Sequence, residues 1–179
     1  MQTGVYLVSG IPGAGKTTVS RLLAARFNRG AHVEGDVVGD MVISGKVLPA
    51  ATPEQSNAES KRQLLLRRQN LAMLADSFFA SGFVPVIDDV IVSGDVLDHY
   101  RAQVRSRPLI FVMLLPRLEV VQQRDAAREK HFFEVWKHLD DQVRNVMPRV
   151  GLWLDSSELT AAQTVDLILS RANDGIVGD

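Results

Sequence analysis

The sequence predicts a single α/β domain, and three observations lead to this class. Short apolar runs typical of buried strands alternate with helical patterns from one end of the 179-residue chain to the other. A glycine-rich loop joins the first of these runs, residues 4–9, to the first helix. The chain has no internal repeat, low-complexity tract or Gly/Ser-rich linker, so we expect one domain over residues 1–179.

Composition excludes several classes of protein. Hydrophobic residues make up 46% of the chain, which is enough for an ordinary core, and the formal net charge of −1 provides no general attraction to nucleic acid. The chain has no cysteine, so disulfides and cysteine metal sites are excluded. No signal-length apolar run follows a basic N-terminal segment. We therefore expect a cytoplasmic protein that binds neither nucleic acid nor membrane.

The loop after the first strand matches the phosphate-loop pattern G-x-x-x-x-G-K-[ST] at every fixed position. Its glycines let consecutive backbone N–H groups face a phosphate at the positive end of the next helix. Lys16 would reach the β- and γ-phosphates of a nucleoside triphosphate, and Thr17 would hold Mg²⁺. The predicted nucleotide-binding residues are Gly10, Ile11, Pro12, Gly13, Ala14, Gly15, Lys16, Thr17 and Thr18.

The next elements follow from periodicity and from helix-end signals. Residues 17–27 have an apolar helical face, and a short second strand covers residues 31–34. Residues 37–49 show no clear period and are interpreted as a helix followed by a loop. A long helix is expected from Thr52, which can cap it, to about Ser81.

Two apolar runs, residues 83–87 and 109–115, predict buried strands on either side of a helix that contains Tyr100. A helix between two strands is the connection that parallel pairing requires. Pro85 has no backbone N–H to donate to a neighbouring strand, which slightly weakens the prediction of the first of these strands.

The C-terminal third repeats the alternation. A helix from Pro116 runs into the charged residues 124–130, and apolar residues at spacings of four and three predict one helix over residues 132–146. A last strand covers residues 150–154, and a capping box at Thr160 opens a final helix. Residues 173–179 are expected to be a frayed tail.

Carboxylates follow the second and third strands. In a parallel sheet, the ligand crevice lies beyond the carboxyl ends of the strands, on the same edge as the phosphate loop. Asp36 is the first candidate for a base that accepts the proton of an acceptor hydroxyl; the alternative is a cap or a turn with Gly35. Glu34 is a candidate for holding substrate or metal, and plain solvent exposure is weighed equally.

Asp88 and Asp89 end the third strand and are candidates for holding Mg²⁺ through water, with Asp89 also a candidate substrate residue. Because neighbouring strand side chains point to opposite faces, only one of them should address the phosphates. The sequence does not say which. The alternative is that either carboxylate caps the turn at residues 93–94.

Basic residues occur in two helical segments. Arg124 and Arg128 are four apart, so they share a helix face and would close over the nucleotide as catalytic residues of a lid at about 124–134. A salt-bridged solvent face with Asp125 and Glu129 is the equally weighted alternative. The long helix carries four cations that could bind an acidic group, although a solvated face is favoured: Lys61, Arg62, Arg67 and Arg68.

With the phosphate loop, the Glu-Gly-Asp segment at 34–36, the aspartate pair and the two lid arginines in order, the chain resembles small P-loop kinases of the nucleoside-monophosphate-kinase-like group. It is most similar to chloramphenicol phosphotransferase-like proteins. The resemblance implies a three-layer P-loop NTPase fold with a five-stranded parallel sheet in the order 2-3-1-4-5 and a helical lid. It also implies ATP with Mg²⁺ and phosphorylation of a small-molecule hydroxyl.

The resemblance gives Asp36 the place of the family's aspartate after the second strand, which is taken as the acceptor base. Glu-Gly-Asp is also similar to the Asp-Gly-Asp segment of gluconate kinases and adenylyl-sulfate kinases, so a sugar acid or a nucleotide-like acceptor is possible. The phosphate loop differs from the serine-rich loop of the chloramphenicol enzyme, which argues against that drug as acceptor.

The main hypothesis is an ATP-dependent O-phosphotransferase in which Lys16, Asp36 and the lid arginines are catalytic. One alternative is a kinase of nucleotide sugars or of nucleic-acid 5′-hydroxyls. Another is a nucleotide-dependent switch that uses residues 36–53. The acceptor and the oligomeric state are not determined by these residues.

Overall fold

The centre of the molecule is a six-stranded sheet. The computed structural model describes residues 2–49, 57–126 and 133–178. Its strands are β1 Val5–Ser9, β2 Gly30–Glu34, β3 Val84–Asp88, β4 Leu109–Leu114, β5 Leu152–Leu154 and β6 Ile176–Gly178. The first five run parallel in the order β2-β3-β1-β4-β5. The α/β class and the predicted strand order are therefore confirmed.

Helices connect the parallel strands and cover both faces of the sheet. They are α1 Lys16–Ala25, α2 Gly35–Asp40, α3 Ala58–Ala80, α4 Gly94–Gln103, α5 Leu118–Ala126, α6 Phe133–Trp136, α7 His138–Asn145 and α8 Ala161–Ser170. Helix α1 packs against α8, and α3 packs against α4. Right-handed crossovers place these two pairs on opposite faces of the sheet.

The central strands are apolar along their whole length because helices cover both of their faces. Every residue of β1, β3 and β4 is buried. The core also includes Leu23 of α1, Leu71 of α3 and Leu97 of α4. Among the described residues, none of the helices combines the length and the apolar character that crossing a bilayer requires.

Three predicted elements differ from the structure. Helix α3 begins at Ala58, where Asn57 accepts from the Ser60 backbone N–H in a capping box, and the predicted start at Thr52 lies outside the described residues. The helix predicted over 132–146 is divided into α6 and α7 at Lys137. The predicted frayed tail instead forms a 3₁₀ turn and strand β6, which pairs antiparallel with the start of β4 through Ile176.

The sheet topology places the candidate functional residues at one edge of the sheet. The phosphate loop follows β1, Asp36 lies two residues beyond β2, and the aspartate pair ends β3. These three strands are neighbours and run in the same direction, so their carboxyl ends meet side by side. A crevice for a ligand is expected at this edge.

Candidate active site

The phosphate loop leaves β1 at the buried Ser9 and enters α1 at Lys16. Gly15 holds a left-handed φ of +96° at the N-cap of α1 and supplies no side-chain cap. The first backbone N–H groups of α1 are therefore available to an anion, at the positive end of the helix dipole. This is the arrangement that a nucleotide phosphate requires.

The loop is packed tightly against α5. Gly13 has a φ of +89°, and a Cβ added there would lie 2.8 Å from Val121 Cγ1. Ile11 and Ala14 are almost completely buried, so these residues offer their backbone rather than their side chains to a ligand. A side chain at position 13 would be strained and would collide with Val121, so glycine is what allows the backbone to follow this path. This path suits a loop whose backbone N–H groups donate to a polyphosphate.

The cationic and hydroxyl side chains of the motif lie in the first turn of α1. Lys16 Nζ donates a 3.2 Å hydrogen bond to the carbonyl oxygen of Ile11 and so lies across the loop. Thr17 and Thr18 occupy the first turn of α1, with Thr17 partly buried and Thr18 exposed. Gly10 and Pro12 lie in the same loop.

Arg124 joins the loop to the other side of the site. Its Nη1 donates to Ala14 O at 3.3 Å, and its Nη2 donates to Ser156 O at 3.0 Å, just beyond β5. The neighbouring Asp125 is only 2% exposed and accepts a hydrogen bond from the Phe133 backbone N–H, so its side chain does not lie in solvent. Arg128 lies outside the described residues, as do Glu129 and most of the predicted lid, so its role stays a prediction.

Asp88 faces the strand next to it. Its Oδ2 lies 2.7 Å from Nε2 of His32 on β2, and its Cα is in register with that of Glu34. The pKa of Glu34 is raised, first by burial and then by the negative charge of Asp88, while His32 and Arg21 oppose the shift. Asp88 and Glu34 therefore share the face on which Arg21 of α1 lies.

Asp89 turns to the opposite face. One carboxylate oxygen contacts Arg67 Nη2, and the other accepts a 2.8 Å hydrogen bond from the Tyr100 hydroxyl. Nε of Arg68 lies 3.5 Å from that second oxygen. The pKa of Tyr100 is raised well above its ordinary value, first by burial and then by the charge of Asp89. Both oxygens of Asp89 are thus occupied by side chains, which leaves Asp88 as the better-placed metal candidate.

Asp36 lies in the first turn of α2 rather than at its cap. Its side chain is 89% exposed, and its Oδ1 lies 3.5 Å from Arg67 Nη1. An exposed carboxylate at this edge can receive a proton from a bound molecule. The surface that follows it is apolar, since Val37, Met41 and Ile43 are 54%, 65% and 90% exposed.

A solvated helix face was the favoured prediction for the four cations on α3, and it was wrong for two of them. Lys61 and Arg62 are exposed, as expected, but the side chains of Arg67 and Arg68 are only 12% and 18% exposed. A signal was present in the sequence, because positions 67 and 68 lie one helical turn before Leu71 and Ala72 on the buried face. Sequence reasoning also assigned no role to His32, which contacts Asp88.

The described residues contain no group of three or more His, Asp or Glu side chains suited to hold a metal ion. A magnesium ion here would depend on hydroxyl and phosphate oxygens as well as on a single carboxylate. Thr17 and Asp88 provide oxygen donors of the kind that Mg²⁺ accepts.

Residues 7–145 match a family model described as an AAA domain. A sugar kinase from Janibacter sp. HTCC2649 is 19% identical, with a TM-score of 0.68 over 97% of this chain and 96% of that one. A gluconokinase from Sinorhizobium meliloti 1021 is also 19% identical, with a TM-score of 0.64 over 95% and 91%. A thymidylate kinase from Candida albicans is 11% identical, with a TM-score of 0.64 over 99% and 96%.

The curated proteins contain no sequence match to this chain. At identities of 11% to 19%, the likeness to the three solved structures shows a shared fold.

Proposed function

The chain belongs to the AAA domain family, and from this premise we propose that it is an ATP-dependent kinase that phosphorylates a hydroxyl group of a small molecule. The observation that carries the proposal is the placement of two functional groups on one sheet edge. A phosphate-binding loop follows β1, and an exposed carboxylate, Asp36, follows β2.

The nucleotide half of the proposal depends on the loop. Lys16 exchanges its bond to the Ile11 carbonyl for phosphate oxygens, and the N–H groups at the start of α1 donate to the same phosphates. Arg124 holds the loop and the segment after β5 together through its bonds to Ala14 and Ser156. It therefore positions the loop, and it is a candidate contact for the nucleotide on that side.

Thr17 and Asp88 are the residues that would hold Mg²⁺. When bound, the ion neutralises negative charge on the phosphates as the phosphoryl group is transferred. Asp88 is oriented by His32, which fixes the carboxylate on the α1 side of the strand. Asp89 has no such role in this proposal, because Arg67 and Tyr100 already engage its oxygens.

The acceptor half depends on Asp36. The acceptor oxygen forms a bond to the γ-phosphorus of ATP while the bond to the β–γ bridging oxygen breaks. The hydroxyl proton passes to the Asp36 carboxylate, and ADP leaves. Because Asp36 is 89% exposed, a bound acceptor can reach it without a rearrangement of the core.

The proposed acceptor is a small molecule rather than a nucleic acid. The sugar kinase and the gluconokinase with a similar fold are named for hydroxyl-bearing acceptors, whereas the thymidylate kinase is named for a nucleotide acceptor. The Glu-Gly-Asp segment favours an acceptor of the sugar-acid type. Chloramphenicol-like antibiotics are also small molecules with hydroxyl groups, so they belong to the proposed class of acceptors.

The test is a measurement of ATP consumption with Mg²⁺ against a panel of acceptors, with mass spectrometry of the products. The panel contains sugar acids, neutral sugars, hydroxylated antibiotics, nucleosides, nucleoside monophosphates, nucleotide sugars and 5′-hydroxyl oligonucleotides. A phosphorylated small molecule that disappears with Lys16→Ala is the expected result. A product phosphorylated only on an existing phosphate group, or only on an oligonucleotide, would contradict the proposal.

A further inference from the structure

His32 is a polar side chain that lies largely buried on β2, an edge strand of the sheet. The side chains of His32 and Asp88 are 16% and 5% exposed, and His32 Nε2 lies 2.7 Å from Asp88 Oδ2. A carboxylate oxygen accepts hydrogen bonds, so Nε2 is the donor of this pair. Burial of either group without a partner would be costly, so each of the two stabilises the other in the folded protein.

The register of the strands shows from which direction His32 reaches the carboxylate. The Cα of His32 is paired with that of Val86, and the Cα of Glu34 is paired with that of Asp88. His32 therefore lies two positions closer to the amino ends of the strands than Asp88 does, on the side away from the edge where ligands bind. Its bond holds the carboxylate from behind, through Oδ2, and does not use Oδ1.

Asp88 is also the carboxylate beside the phosphate loop. Its Cα is in register with that of Val8 on β1, and the loop begins two residues later at Gly10. Both oxygens of the neighbouring Asp89 are engaged by side chains of α3 and α4. The carboxylate that His32 holds is therefore the better-placed one for a metal ion beside the phosphates.

We infer that His32 is a positioning residue of the magnesium site, which holds Asp88 by Oδ2 and leaves Oδ1 for the metal ion or for a water bound to it. The inference rests on the proposed function, because that proposal assigns Asp88 to Mg²⁺. Replacement of a residue that orients a metal ligand changes metal affinity by about 10–100-fold. A contact that merely joined β2 to β3 would contribute to stability and leave the metal affinity unchanged.

Metal affinity tests the inference without an acceptor and without turnover. The protein is kept in excess over a non-hydrolysable ATP analogue, and Mn²⁺ binding to the complex is followed by electron paramagnetic resonance, with Mg²⁺ as competitor. The affinity for the analogue in EDTA is measured separately. In His32→Leu, we expect the affinity for Mn²⁺ to fall about tenfold or more. The affinity in EDTA should stay that of the wild type, because the phosphate loop is unchanged.

Three further variants separate positioning from packing. His32→Gln places an amide donor near the position of Nε2 and should recover most of the metal affinity. His32→Asn is polar but too short to place its donor there, so it should behave as His32→Leu does, and it replaces that variant if the leucine does not allow folding. His138→Leu removes an exposed histidine of α7 and should bind Mn²⁺ as the wild type does.

A double-mutant cycle tests whether His32 acts through Asp88. Asp88→Asn alone should weaken Mn²⁺ binding, because a neutral amide is a poorer ligand than a carboxylate. Addition of His32→Leu to Asp88→Asn should cause little further loss, since the carboxylate that His32 positions is already absent. Independent losses that add would contradict an effect through Asp88.

The inference is overturned if His32→Leu and His32→Asn bind Mn²⁺ as tightly as the wild type does, if His32→Gln is as impaired as His32→Asn, or if the losses in the cycle add. The kinase proposal fails separately, when the wild type forms no phosphorylated product with any acceptor. Loss of metal affinity in the His32 variants would then still support the positioning role. A phosphorylated product together with unchanged metal affinity would refute the role of His32 and leave the kinase proposal standing.

Discussion

Asp88 and Asp89 are adjacent in sequence, yet their carboxylates engage different elements on opposite sides of the end of β3. Asp88 contacts His32 at 2.7 Å, and Asp89 accepts a 2.8 Å hydrogen bond from Tyr100 and pairs with Arg67. Neighbouring side chains of a strand point to opposite faces, so the two carboxylates have different binding partners. One faces the α1 side of the site, and the other contacts α3 and α4.

Replacement of Asp89 by Ala should destabilise the fold much more than replacement of Asp88. The Asp89 side chain is 1% exposed, and its loss leaves Arg67 and Arg68 without the buried anion that they share. Removal of one partner from a buried ion pair costs on the order of 3 kcal/mol. Urea unfolding of Asp89→Ala and Asp88→Ala measures the difference, and equal losses of unfolding free energy would contradict this division of roles.

Replacement of Glu34 by Gln should change how stability depends on pH. The pKa of Glu34 in the folded protein is raised above its ordinary value of 4.5, first by burial. Its stabilising contribution is therefore present at pH values below 4.5 and is lost as the pH rises through the raised pKa. Relative to the wild type, Glu34→Gln should become more stable as the pH rises over this window. Denaturant midpoints at several pH values test the direction, and a relative loss of stability with rising pH would show the opposite sign.

Replacement of Arg124 by Ala should weaken nucleotide binding. The two carbonyls that Arg124 bridges belong to the phosphate loop and to the segment after β5, so its loss leaves the loop less well ordered. Hydrogen bonds from a charged donor are worth about 1.5–3 kcal/mol each, which predicts a loss of about tenfold or more in affinity. The dissociation constant of a fluorescent ATP analogue is the measurement. Arg117→Ala, which breaks an exposed ion pair with Glu158, is the control and should bind as the wild type does.

Replacement of Asp36 by Asn should slow phosphoryl transfer without weakening ATP binding. Loss of a general base costs about 10²–10⁴ in rate, whereas Asp36 contacts no residue of the phosphate loop in the described structure. Single-turnover transfer and the dissociation constant of ATP are measured on the same variant. Parallel losses in both would assign Asp36 to nucleotide or metal binding instead of to the acceptor.

Much of this site follows from local patterns in the sequence. The phosphate loop can be predicted because the fixed glycines of its pattern are needed for the backbone conformation, as the positive φ values of Gly13 and Gly15 show. The position of Asp36 beside the phosphate loop can be predicted because the carboxyl ends of parallel strands lie at the same edge of the sheet. The strand order came from the family resemblance rather than from periodicity.

Other parts depend on contacts between distant segments. Alternation predicts that Asp88 and Asp89 face apart, but only the positions of His32 and Tyr100 show which of them joins which face. The charges of Arg67 and Arg68 suggested a solvated helix, and their burial follows from Asp89, which lies over twenty residues away in sequence and supplies a partner. The C-terminal strand β6 was missed because its pairing with β4 is long-range.

The most direct test of the proposed phosphoryl transfer is ³¹P NMR of the reaction of Mg·ATP with the acceptor found in the panel. The wild type is compared with Lys16→Ala, in which the loop lacks the cation that now lies across it. The kinase account predicts a phosphate monoester signal that grows with ADP in the wild type and is absent in the variant. Release of inorganic phosphate alone, or an unchanged rate of ester formation in Lys16→Ala, would contradict it.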